Sequence, residues 1–97
     1  MLDPRFMSAL GHPARLQALV LFERQPASAR ELSEVVALSP TATSYHVRKL
    51  MEAGLIVQVD TRHRRAFEER VWRTTATGWS QLEALLADVA QRSAGST

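Results

Sequence analysis

The chain is 97 residues long, room for one domain but not two, and its 45% apolar and 23% charged content is that of a globular protein. It has no cysteine, which excludes disulfides and thiolate metal sites, and no apolar run near the roughly 18 residues of a membrane span. Formal net charge is only +2, so a surface for phosphate or nucleic acid has to come from local clustering.

The opening MLDPRFMSAL lacks a basic flank ahead of a long apolar stretch, so no secretory signal is expected and the cytoplasm is the expected compartment. Residues 4–10 suit a short helix with Phe6, Met7 and Leu10 on one side, broken by Gly11-His12. Pro13 fits the first turn of a second helix, where its missing N–H costs nothing. Leu16, Leu19, Val20 and Phe22 give that helix an apolar face to about Gln25, and Pro26 ends it. Ser28 and Glu31 have capping-box spacing and open a third helix carrying Leu32, Val35 and Val36. Ser39-Pro40 reads as an N-cap with proline at the first helical position. The fourth helix it opens runs to Ala53, and Gly54 supplies a left-handed closing residue.

Leu55–Asp60 alternates like a strand, and Phe67–Arg73 is a second, with Phe67, Val71 and Trp72 as apolar members. A basic, flexible segment, Thr61–Ala66, joins them as a hairpin. Thr77 is placed to cap a last helix from about Gly78 to Gln91, and Ser93–Thr97 reads as a frayed tail. The expected organisation is one domain over residues 1–92 and a disordered tail over 93–97. It is mainly α with a small β-hairpin.

The fourth helix carries the strongest functional signal. On a wheel of 100° per residue, Thr43, Val47 and Leu50 fall on one side, with Met51 near its edge. Thr41, Tyr45, Arg48 and Glu52 fall opposite, flanked by Ser44 and Lys49. The first set should dock on the core and the second face outward. A capped helix, a tight turn and such a second helix are what a helix-turn-helix needs to enter a DNA major groove. Thr41, Ser44, Tyr45 and Arg48 are the candidate base readers, since arginine bonds guanine bidentately and hydroxyls take base edges or phosphates. Lys49 and Ser39 are better placed for phosphate. The plainer alternative is a solvated helix face. His46, at the border, reads as a packed and hydrogen-bonded histidine rather than a ligand.

The segment Arg62-His63-Arg64-Arg65 would serve as a wing, its arginines reaching phosphates or a narrow minor groove. Its alternative role is a soluble turn that discourages edge-to-edge strand pairing. Arg70 and Arg73 rank lower, with Glu68 and Glu69 beside them as ready ion-pair partners.

Several of these pieces resemble one family. Ala9-Leu10-Gly11-His12-Pro13-Ala14-Arg15-Leu16 is similar to the opening signature of ArsR-type winged helix-turn-helix regulators. Leu38-Ser39-Pro40 with Ser44-Tyr45-His46-Val47-Arg48-Lys49-Leu50 resembles their turn and recognition helix, and Glu52-Ala53-Gly54-Leu55-Ile56 the entry to their wing. The resemblance spans about residues 9–74. It implies a winged helix-turn-helix fold, double-stranded DNA as partner, and a homodimeric bacterial repressor that leaves its operator on a signal. It also implies dimerisation through the first and last helices, here Phe6 and Leu10 with Trp79, Leu82, Leu86 and Val89. The 3-4-3 spacing of the last four, with Leu85 beside them, suits a helix–helix seam, and a domain this small gains from shared burial. The alternative is that this stripe folds back on its own core.

The departures from the family bear on its signal. Arg30–Ala37 holds no cysteine, and the last helix offers Glu83 and Asp88 but no histidine. The three histidines lie in separate segments without ligand spacing, so no metal site and no cofactor is expected, and the effector is left open. An enzyme is not expected: there is no cysteine nucleophile, phosphate-cradling glycine loop or HExxH, and Ser44, Tyr45 and His46 do not face one another on a helix. Two rival readings share the fold. A winged-helix module that binds protein would lose the basic outer face, and a MarR-type regulator usually carries longer terminal helices.

Overall fold

The computed structural model describes residues 1–95. A 3-10 turn, Pro4–Phe6, leads into α1 (Met7–Leu10), followed by α2 (Pro13–Arg24), β1 (Ala27–Ser28), α3 (Ala29–Val36), α4 (Pro40–Glu52), β2 (Ile56–His63), β3 (Glu68–Thr74) and α5 (Ala76–Gly95). The 3-10 turn and every helix except α1 begin at a local side-chain cap. The Asp3 carboxylate accepts from Arg5 N, and His12 Nδ1 accepts from Ala14 N ahead of Pro13. Ser28 and Glu31 form a full capping box, at 3.2 and 3.0 Å. Ser39 Oγ accepts from Ala42 N.

Between α3 and α4 the chain reverses through Ala37, which adopts φ +56°, a left-handed conformation that costs a residue with a Cβ about 1–2 kcal/mol. The far end of α4 is closed by a Schellman motif. Gly54 (φ +76°) donates to Met51 O at 3.0 Å, and Leu55 N donates to Leu50 O at 3.0 Å.

The sheet is antiparallel in the order β1-β3-β2. β1 is two residues long and pairs Ala27 with Trp72 and Ser28 with Val71. The β2–β3 hairpin is longer and its turn tighter than the sequence suggests. Thr61, Arg62 and His63 stay in the ladder, opposite Arg70, Glu69 and Glu68, and only residues 64–67 form the turn. Phe67 is therefore an exposed turn residue and not a strand member. A bulge between Gln58 and Asp60 breaks the alternation, and Val57 and Val59 are both exposed while Ile56 is buried.

One core gathers Leu19, Phe22, Leu32, Leu50, Leu55 and Val71 as fully buried side chains. Val20 and Val35, expected on apolar faces, are exposed. The buried Thr74 hydroxyl donates to Leu19 O at 2.6 Å, tying β3 to α2. Thr75, not Thr77, caps α5. Its Oγ1 accepts from Gly78 N and donates to Gly54 O at 2.9 Å, so the same side chain bolts α5 to the turn that closes α4. α5 continues beyond Gln91, so Ser93–Gly95 of the expected tail are helical, and residues 96–97 lie outside the described residues. Among the described residues, no helix is long and apolar enough to cross a membrane.

Gly78 sits where α5 crosses that closing turn. A Cβ there would lie 2.1 Å from Leu55 O and 3.0 Å from Leu55 C, both backbone atoms that cannot swing away. Gly78→Ala should therefore destabilise the fold by about 1–3 kcal/mol, as overpacking does. Urea melts measure it, and an unchanged midpoint would contradict this packing.

Candidate nucleic-acid interface

α4 is divided as its sequence divides it. Thr43, Val47 and Leu50 are 1%, 4% and 0% exposed, and Thr41, Ser44, Tyr45, Arg48 and Lys49 are exposed. The buried Thr43 hydroxyl is satisfied by donating to Ser39 O at 2.9 Å. Burying Val47 and Leu50 contributes about 1.5–3 kcal/mol each, enough to fix which side of the rod faces out. On that outer side Thr41, Ser44, Tyr45 and Arg48 line one shallow depression. The Arg48 and Lys49 cations lie 5.8 and 5.5 Å from the Tyr45 ring centroid, so cations flank an exposed aromatic ring. Arg48 is 3.9 Å from Glu52, a loose exposed pair that leaves its guanidinium available. Ser39 is exposed, but its oxygen already accepts the cap hydrogen bond, which leaves only its hydroxyl proton for a phosphate.

His46 is buried beside this face. Its Nδ1 lies 3.0 Å from an Arg15 guanidinium nitrogen and its ring 4.2 Å from the His12 ring. Burial, then the neighbouring His12 and Arg15, push its pKa down, so the neutral ring is favoured, with Nδ1 accepting from Arg15. Arg15 also donates to Ala9 O and Ser8 O. It ties α1, α2 and α4 together, a role its place in the sequence did not reveal.

The wing departs most from the sequence reading. Arg62 is bound to Glu31 at 2.5 Å, His63 Nδ1 lies 3.2 Å from Glu68, and Arg64 is bound to Glu69 at 2.9 Å. Of the four residues proposed there, Arg65 alone has no carboxylate partner among the described residues, and Arg62 is a strap between wing and α3. Arg70 and Arg73, ranked lower for their glutamate neighbours, make no ion pair among the described residues either. Glu69 points inward, 6% exposed, and its Oε1 takes Arg64 and Arg30. Its Oε2 is buried with no partner in bonding geometry. The Ser28 hydroxyl, then the Arg64 and Arg30 guanidinium groups, hold the Glu69 carboxyl down at about 2.

The stripe expected at a dimer seam is also divided. Leu10 and Leu82 are 3% and 2% exposed within the single chain, so its own core takes them. Phe6 and Trp79 are half-buried against that core. Leu86 and Val89 remain 56% and 51% exposed, because the C-terminal half of α5 extends past the rest of the domain. Among the described residues, no three His, Asp or Glu side chains are placed to share a metal ion.

Residues 12–57, which contain α2, the turn and all of α4, match the model of the bacterial regulatory protein, arsR family. Over that stretch, just under half of its length, the chain is similar to the ArsR family. A curated relative, the HTH-type transcriptional regulator YgaV of Escherichia coli, is 39% identical over 51 residues, 52% of each protein. The chain therefore matches about half the length of that relative. Rv0081 of Mycobacterium tuberculosis superposes with a TM-score of 0.67 at 25% identity, covering 93% of this chain and 86% of the other. Mb0332 of Mycobacterium bovis, a homodimeric winged helix-turn-helix DNA-binding domain, superposes at 0.64 and 23% identity, covering 90% and 76%. In ArsR terms α3 and α4 are the helix-turn-helix and the β2–β3 hairpin is the wing. The family is one of transcriptional regulators, not enzymes.

Glu69 gives the wing a measurable pH signature. A carboxyl held near 2 in the fold and at its ordinary 4.5 in the unfolded chain adds stability above pH 4.5, lost as pH falls toward 2. Stability should drop across that window, and Glu69→Gln, which cannot titrate, should have a flatter profile there. Urea melts at pH 6, 4 and 3 compare the two, and parallel profiles would contradict the buried ion-pair assignment.

Proposed function

We propose that this chain is a dimeric, sequence-specific repressor that binds a pseudo-palindromic DNA operator. The observation that carries the reading is the exposed hydroxyl, aromatic and cation face of α4, held outward by a fully buried opposite face. Thr41, Ser44, Tyr45 and Arg48 read bases, and Lys49 and Ser39 hold phosphates. Arg65 is the wing contact, because Arg62 and Arg64 are already engaged by carboxylates. Two-fold symmetry sets the two recognition helices about 34 Å apart, in successive major grooves. The homodimeric state of Mb0332 and the exposed Leu86 and Val89 support dimerisation through α5. Without cysteine in the sequence, the signal that releases the operator is not a thiolate-bound metal.

Selection of bound duplexes from a random library at two salt concentrations tests the reading and supplies the site. A recovered inverted repeat supports it, and an unenriched library contradicts it. On the selected site, Arg48→Ala should flatten preference at one base position and cost about 1–3 kcal/mol. Arg65→Ala should lower the salt slope by about 1 without changing base preference. Arg62→Ala should leave the slope unchanged and lower fold stability by about 1 kcal/mol or less. Equal slope losses for Arg62 and Arg65 would contradict the division of the wing.

A further inference from the structure

A groove of about 400 Å³ opens between the recognition helix, the start of α3 and strand β3, a volume in the range of small-molecule sites. Val47, Met51 and Trp72 give it an apolar wall, and Ser44, Arg48 and Arg70 add a hydroxyl and two cations. Its charge is biased. The lining holds Arg30, Arg48 and Arg70 against Glu68 and Glu69; Arg30 and Glu69 pair with each other within it, Glu69 is also held by Arg64 from outside, and Glu68 faces His63, which leaves Arg48 and Arg70 as the cations open to a ligand. Arg70 makes no ion pair among the described residues, and Arg48 has only its loose contact with Glu52.

Cations and hydroxyls alone would describe a seat for a backbone phosphate, which has no use for an apolar wall. A carboxylate carried on a ring uses both halves of the lining. We infer that this groove binds a small organic anion, a carboxylate on an apolar ring, and that its occupant displaces duplex DNA. The ring lies against Val47, Met51 and Trp72, and the carboxylate is taken by Arg70 and Arg48 with charge-assisted hydrogen bonds. Displacement follows because Ser44 and Arg48 line this groove and also the outer depression of α4. This second half rests on the DNA-binding reading, and the first half does not.

The test uses 2-naphthoate as probe, its neutral amide and inorganic phosphate as controls, and the ¹⁵N resonances of the free protein as readout. Naphthoate should give saturable shifts at the Trp72 indole N–H and the Ser44 amide. Affinity should fall about tenfold or more for the amide, and likewise in Arg70→Ala, the loss of a charged hydrogen bond, with partial recovery in Arg70→Lys. Phosphate should leave the Trp72 resonance in place. Arg70 is exposed, so its variants are expected to fold, and their thermal melts verify it. Absence of saturable shifts from naphthoate at millimolar concentration, or equal affinity in Arg70→Ala, overturns the site. Naphthoate should also weaken duplex binding by the wild type. If it binds and the duplex is unaffected, the displacement is wrong. If the wild type binds no duplex at all, the repressor reading fails while the direct-binding result still decides the groove.

Discussion

Burial of Thr43, Val47 and Leu50 under α4 is the contact on which the remaining features rest. A helix of 13 residues is marginal in isolation, and most of its stability has to come from a packed face. That face determines which residues are left for solvent. Rotating the rod by one residue, 100°, would bury a polar side chain without a partner at a cost of about 1–3 kcal/mol. Both ends are pinned as well. Ser39 caps the start, and the Gly54 turn closes the end and is gripped by Thr75 through the space that Gly78 leaves open. The outward residues are thus held on a rigid support.

Electrostatics divides the basic residues into two populations. Arg30, Arg62 and Arg64 are held by Glu31 and Glu69, which fasten the hairpin to α3 and fix the angle between wing and recognition helix. Among the described residues Lys49, Arg65, Arg70 and Arg73 make no ion pair and Arg48 has only its loose contact with Glu52, so the attraction for an anion is concentrated on them. A small net charge is compatible with nucleic-acid binding when the compensating acids are internal to the scaffold in this way.

Most of the helical frame was legible in the sequence because its signals are local. The capping box at Ser28 and Glu31, the Ser39-Pro40 start and the Gly54 stop each act within five residues. The two faces of α4 followed from periodicity alone. What escaped is non-local. β1 is a two-residue strand defined by its partner on β3, with no pattern of its own. Glu31 and Arg62 are 31 positions apart, and Glu69 and Arg30 are 39 apart, so neighbouring sequence did not show the glutamate that holds Arg62 and offered Arg70 and Arg73 partners that they do not take. Thr75 and Thr77 are equivalent as caps by composition, and only the contact with Gly54 selects Thr75. Leu82 and Leu86 share one helical stripe, and their different fates depend on where the body of the domain ends beneath α5.

Tyr45 is the single tyrosine of the chain and stands on the outer face of α4, flanked by Arg48 and Lys49. With fluorotyrosine in its place, one ¹⁹F resonance reports on that face alone. Addition of a selected duplex should shift this resonance and protect it from a soluble paramagnetic quencher, in step with the bound fraction. A resonance that stays put and fully quenched while the duplex is bound would show that DNA lies elsewhere, and that α4 is not the reading helix.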